Sequence, residues 1–128
     1  MKATIMAINT EKLRHILQNF VSTTPDVRGA AMVTTDGLPL ASSLPGGMDE
    51  ERVSAMSAAM LSLGERIGRE LGTGGMDRVY VQGHDGFSIL TTCGDEALFL
   101  ILANKEAKEG VLILEMKRTL SELKPALM

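Results

Sequence analysis

Hydrophobic and polar positions divide the chain into eight segments, and the clearest of them runs from Asp49 to Gly72. There Val53, Met56, Met60, Leu63, Ile67 and Leu71 recur at helical spacing and, at about 100° per residue, fall on one stripe. Asp49 follows Pro45-Gly46-Gly47 and reads as an N-cap, Glu50 and Glu51 suit the positive end of the helix dipole, and Gly72 suits the C′ position. Beside the stripe lies a strip of small residues, Ser54, Ser57, Gly64 and Gly68 with Leu61 among them. Beyond it a third arc holds Ala55, Ala58, Ala59, Ser62, Glu65, Arg66 and Arg69. The stripe is expected to cover a sheet. A glycine inside a helix costs roughly 1 kcal/mol relative to alanine, so the two on the strip predict close approach by another helix.

The other segments read more simply. Thr10, a plausible N-cap, opens a helix whose apolar face is Leu13, Ile16, Leu17, Phe20 and Val21, ending near Ser22 before Thr23-Thr24-Pro25-Asp26. Val27 to Thr34 reads as a strand, Asp36-Gly37 as a tight turn, and Leu38 to Ser43 as a second strand, placed at an edge by Pro39. After the loop Thr73-Gly74-Gly75, strands are predicted over Met76–Gln82, Phe87–Cys93 and Ala97–Ala103, with turns at His84-Asp85-Gly86 and Gly94-Asp95. Ala97–Ala103 is apolar at every position, which predicts a central strand covered on both faces. A last helix spans Lys108 to Leu127, with Leu112, Met116, Leu120, Leu123 and Leu127 on one face and Pro125 fraying its final turn. The order is α-β-β-α-β-β-β-α. Short connections make neighbouring strands antiparallel, and hiding the central strand requires helices on both faces of the sheet, the long helix on one and the terminal helices on the other.

Composition narrows the function classes. The 128 residues, 45% hydrophobic, suffice for one core and predict a single domain over 1–128, its core about 11–123. Aromatics are scarce and nine methionines help fill the apolar positions. A net charge of -3 with interspersed signs offers no basic stripe for nucleic acid. The lone Cys93 sits in an apolar run, there is no signal-peptide h-region, and no apolar run approaches membrane-spanning length. These features predict a cytoplasmic protein without membrane insertion.

No reaction is named by the residues themselves. His15 and His84 have no neighbours at metal-ligand spacing, and there is no P-loop, no GxGxxG after a strand and no GxSxG. A Cys93–His84 thiolate pair has no third group, so neither catalytic residues nor a cofactor are predicted. Two surfaces remain. The alanine-rich arc of Ala55, Ala58, Ala59 and Ser62 suits docking, whereas Arg52, Arg66 and Arg69 read as a solvated face with i, i+4 pairing such as Glu65 to Arg69. Val79-Tyr80-Val81-Gln82 lacks the proline or lysine that discourages pairing at a sheet edge.

Four stretches, taken together, carry a family likeness: Pro25 to Ala30, Thr35 to Ala41, Leu63 to Ile67 and Val111 to Arg118. In order and spacing the chain resembles the bacterial Roadblock/LC7 domain family, whose best-known bacterial branch comprises MglB-like regulators of Ras-like GTPases. The resemblance covers about Glu11 to Leu123. It implies an α+β roadblock (profilin-like) fold with sheet order 2-1-5-4-3, and a homodimer joined by the long helices and the third strands. Carried over by residue, it places the helix contact on Ser57, Leu61, Gly64 and Gly68 and the strand contact on Val79, Tyr80 and Val81. It further implies a platform for a small GTPase with Ala55, Ala59, Ser62, Arg66 and Arg69 in the footprint. The expected function is a regulator, not an enzyme, that stimulates hydrolysis through the GTPase's own residues. The alternatives are a scaffold or adaptor subunit and, from another class, a small-molecule sensor.

Overall fold

The computed structural model describes residues 8–127. Its elements are α1 (Thr10–Thr23), β1 (Val27–Thr34), β2 (Pro39–Ser43), α2 (Glu50–Glu70), β3 (Arg78–Gln82), β4 (Gly86–Cys93), β5 (Ala97–Asn104) and α3 (Glu109–Ala126). The strands form one antiparallel sheet in the order β2-β1-β5-β4-β3. This α+β arrangement is the roadblock (profilin-like) topology predicted above. Boundaries differ by a residue or two. Asn9, not Thr10, caps α1, its side chain accepting from the Lys12 amide at 3.0 Å. Leu38 belongs to the turn before β2, where its amide donates to Thr34 Oγ1 at 3.0 Å and its carbonyl accepts from the Thr34 amide at 2.8 Å.

β5 lies at the centre, apolar at every position from Ala97 to Ala103 and so on both sides. Phe99 and Ile101 face one core, shared with Leu13, Leu17 and Phe20 of α1 and Leu112, Met116 and Leu123 of α3. Leu98 and Leu100 face the other, shared with Ala31, Val33, Leu90 and Val53 of α2. The register carries this alternation across the sheet. Ala30, Ile101, Ile89 and Tyr80 form one cross-strand row on the side of the terminal helices, while Leu102, Ser88 and Val81 form a row on the side of α2.

The seating of α2 departs from the pattern. Of the apolar stripe only Val53 is buried, whereas Met56, Leu63, Ile67 and Leu71 are 57%, 59%, 46% and 72% exposed. The small strip faces the sheet instead. Ser54 and Ser57 are buried, their hydroxyls donating to the Glu50 and Val53 carbonyls at 2.8 and 2.9 Å, and Gly68 is buried with them. The inward direction therefore lies roughly a quarter turn from the stripe. The cause is steric. A Cβ on Gly64 would stand 2.6 Å from Met76 Sδ and 2.9 Å from Val79 Cγ2, and one on Gly68 only 1.9 Å from the Gly74 carbonyl oxygen. Ser57, Leu61, Gly64 and Gly68, expected to meet a second copy, are engaged within their own chain. The close approach that the glycines permit is to the sheet and the turn after the helix.

Both ends of α2 are closed as predicted. The Asp49 carboxylate accepts from the Glu51 and Arg52 amides at 3.0 and 3.4 Å, and Gly72 takes φ +74° beyond the C-cap Leu71. The amides of Thr73 and Gly74 then both donate to the Gly68 carbonyl, at 3.0 and 3.1 Å. Gly68 thus anchors the turn by its backbone and admits it by having no side chain.

Two predictions follow from this packing. Gly68→Ala gains about 1 kcal/mol of helix propensity but must displace backbone, an overpacking cost of about 1–3 kcal/mol. A thermal melt is expected to show a lower Tm, and an unchanged or higher one contradicts the packing. The second concerns Cys93, fully buried in the α1/α3 core, where desolvation pushes the thiol up from 9.0 to about 11 against a smaller opposing pull from Lys124. Above pH 9 the unfolded chain loses this proton and the folded chain keeps it, so the contribution is complete below pH 9 and lost as pH rises toward 11. Cys93→Ala is expected to flatten the fall of Tm between pH 9 and 11. Parallel curves for the two proteins would contradict it.

Candidate functional site

The rotation of α2 leaves a trough between its apolar flank and the sheet. Met56, Met60 and Leu63 form its wall, Met48 closes one end, and Val81 and Leu102 lie along the floor, enclosing about 520 Å³. No charged residue lines it. A second cleft of about 610 Å³ continues from it between the C-terminal half of α2 and β3, bounded by Ile67, Met76, Val79 and Tyr80. Large side chains set over an uncovered sheet are an apolar surface of the kind that marks association. Burial of one Leu, Ile or Met from full exposure contributes about 1.5–3 kcal/mol.

The trough opens onto a strand edge. Among the described residues β3 pairs only with β4, so its other side presents backbone donors and acceptors without strand partners there. Tyr80 and Val81 are 41% and 51% exposed and lie on opposite faces of the sheet, while Val79 is half-buried beneath α2. Of the strand residues that sequence reasoning assigned to self-contact, Tyr80 and Val81 are exposed and Val79 is accessible only in part. On the helix, Ser57 and Gly68 are buried and Leu61 and Gly64 half-buried in their own chain, whereas Met56, Leu63 and Ile67, which the sequence had allotted to the sheet, stand exposed.

The third arc of α2 is where it was predicted to be. Ala55, Ala59, Ser62, Arg66 and Arg69 are all exposed. The ion pair on this arc runs from Arg66 Nε to Glu70 Oε2 at 2.7 Å, not from Glu65 to Arg69. Ala58 is half-buried because the tip of the β1–β2 hairpin rests there. A Cβ on Gly37, which has φ +94°, would lie 3.4 Å from Ala58 Cβ and 3.5 Å from Ala55 Cα. The hairpin carries Leu38, 62% exposed, to the edge of the arc. Sequence reasoning missed this residue by assigning it to a strand; the available signal was its place between Asp36-Gly37 and Pro39.

Among the described residues, the histidines and the cysteine lie apart. Cys93 is the last residue of the eight-residue β4 and His84 precedes its first, which at strand rise separates them by about 20 Å or more. His15 lies on the exposed face of α1 with Nε2 3.4 Å from Glu11 Oε2. Among the described residues there is no group of three potential metal-ligating side chains, and no helix is long and apolar enough to cross a membrane.

Comparison with known proteins bears on this geometry. The Roadblock/LC7 domain model matches residues 13–103. The uncharacterized protein MJ0714 of Methanocaldococcus jannaschii is 33% identical over 101 residues, which is 79% of this chain and 85% of that protein. Among solved structures, a Roadblock/LC7 domain from Streptomyces avermitilis superposes with a TM-score of 0.83 at 24% identity, covering 90% of this chain and 97% of the other. Myxococcus xanthus MglB also gives 0.83, at 13% identity over 94% of this chain and 92% of its own. The last two likenesses establish the fold, and the sequence matches establish descent: this chain belongs to the Roadblock/LC7 domain family.

Proposed function

We propose that this protein is a regulator that pairs with a second copy of itself and, as a pair, binds a Ras-like small GTPase. The observation that carries the first part is the apolar flank of α2, Met56, Leu63 and Ile67, standing exposed beside an uncovered sheet row and the unpaired edge of β3. Two copies related by a twofold axis would bury the flank of each helix against the other and let β3 meet β3, keeping Val79, Tyr80 and Val81 at the strand contact. The small strip, already packed, takes no part.

The second part rests on the family resemblance and on the outer arc. Ala55, Ala59 and Ser62 lose little hydration on contact, and Arg66 and Arg69 offer charge at the rim. Ala59 also lines the trough, but Ala55, Ser62, Arg66 and Arg69 lie away from it, so pairing would leave those four open on both copies. Arg66 is held by Glu70 on a helix, which suits contact with a protein surface better than insertion beside a nucleotide. Acceleration of hydrolysis would then come from fixing the GTPase's own residues, with no catalytic group supplied by this chain.

Leu63→Glu places a charge in the trough and is expected to convert the dimer to monomer by light scattering while the far-ultraviolet circular dichroism spectrum is kept. A dimer of unchanged strength would count against pairing through this face. For the partner, the purified chain is mixed with a Ras-like GTPase from the same organism loaded with GTP. A stoichiometric complex with faster phosphate release is expected, weakened at least tenfold by the double variant Ser62→Glu, Arg66→Glu. A complex without any change in turnover or exchange would favour the scaffold reading, and no complex at all would remove the GTPase from the account.

A further inference from the structure

The placement of the methionines carries a chemistry that pairing alone does not require. Six of them lie among the described residues. Met32 and Met116 are sealed in the α1/α3 core at 0% and 1% exposure. The other four, Met48, Met56, Met60 and Met76, all line the two connected clefts beside α2, with Met48 and Met56 39% and 57% exposed. Every described thioether that a small oxidant can reach is therefore on the face assigned to the second copy. Cys93, the chain's one thiol, is fully buried and held protonated by that burial, so it offers no thiolate to compete.

We propose that Met56 and Met60, with Met48 and Met76 beside them, form a sulfoxidation site through which oxidants of the peroxide class separate the paired copies. This rests on the reading that the α2 flank is the seat of a second copy. In the step itself a sulfur lone pair attacks one oxygen of hydrogen peroxide, the O–O bond breaks as the S–O bond forms, and the other oxygen leaves as water after proton transfer. Sulfur loses two electrons and the peroxide gains them. The product carries a polar S–O group that must be dehydrated whenever the trough closes, and the trough offers it no charged partner. The cores keep their two methionines unoxidised, so the separated chain stays folded. Two-electron reduction of the sulfoxides by thiol-dependent methionine sulfoxide reductases, the oxygen leaving as water while the thiols become a disulfide, restores the thioethers and with them the pair.

Because pairing covers these sulfurs, oxidation would proceed through dissociated chains, and its rate is expected to fall as protein concentration rises. The test uses the full chain and hydrogen peroxide, with peptide mass spectrometry and light scattering on the same samples. The expected result is one added oxygen at each of Met56 and Met60, none at Met32 or Met116, a dimer-to-monomer shift that tracks the oxidised fraction, and return of the dimer after both epimer-specific methionine sulfoxide reductases have acted. The Cys93→Ala chain is expected to respond identically. A chain that is dimeric before treatment and still dimeric with Met56 and Met60 fully oxidised overturns this inference alone. Loss of the dimer that requires Cys93, or that accompanies oxidation of Met32 or Met116 and unfolding, also overturns it. A chain that is monomeric before any oxidant is added overturns the pairing reading as well.

Discussion

The constraint on which the rest of the molecule depends is the distance between α2 and its own sheet. Gly64 and Gly68 cannot carry a Cβ without striking Met76, Val79 or the Gly74 carbonyl, so the helix can lie this close only with its smallest residues underneath. The adjacent Ser54 and Ser57 satisfy their hydroxyls on the preceding turn and add no demand for room. Once that face is turned inward, the large apolar side chains have nowhere to go but the flank. They stand over the row Leu102, Ser88 and Val81, which the helix leaves uncovered.

The organisation of the surface follows from the same constraint. A helix seated on its large stripe would have covered more of the sheet and left fewer large apolar side chains exposed. Seated on glycine and serine, it presents two distinct faces at once. One is apolar, methionine-rich and continuous with the open edge of β3. The other is flat, alanine-rich and rimmed by arginine. Methionine suits the first face because its unbranched thioether conforms to an irregular trough. The same softness makes the face chemically accessible, since sulfur is the atom there that an oxidant can alter.

Much of the fold could be read from the chain because local and global signals agree. Ala97–Ala103 announces a central strand by being apolar throughout, Asp36-Gly37 and Gly72 mark turns by the φ they permit, and Asp49 caps the helix it precedes. The family likeness added the strand order, which periodicity alone does not give. What the pattern misassigned was the orientation of α2. Periodicity locates the most apolar direction of a helix, whereas close packing selects the smallest one, and here the two differ by roughly a quarter turn. Gly64 and Gly68 were read as signs of close approach by another helix, whereas the groups found against them are Met76, Val79 and the Gly74 carbonyl of the same chain, which a sequence does not specify. Leu38 escaped notice for a related reason: its exposure is set by where the hairpin tip rests against Ala55 and Ala58, a contact between segments far apart in the chain.

The central claim is that the α2 flank and the β3 edge together seat a second copy. Amide hydrogen exchange followed as a function of protein concentration tests it most directly, because it reads the strand edge itself and needs no substitution. The account predicts that amides of Arg78–Gln82 become progressively protected as concentration rises through the dissociation constant, while the opposite edge strand, Pro39–Ser43, does not change. Exchange of Arg78–Gln82 that is independent of concentration would contradict it.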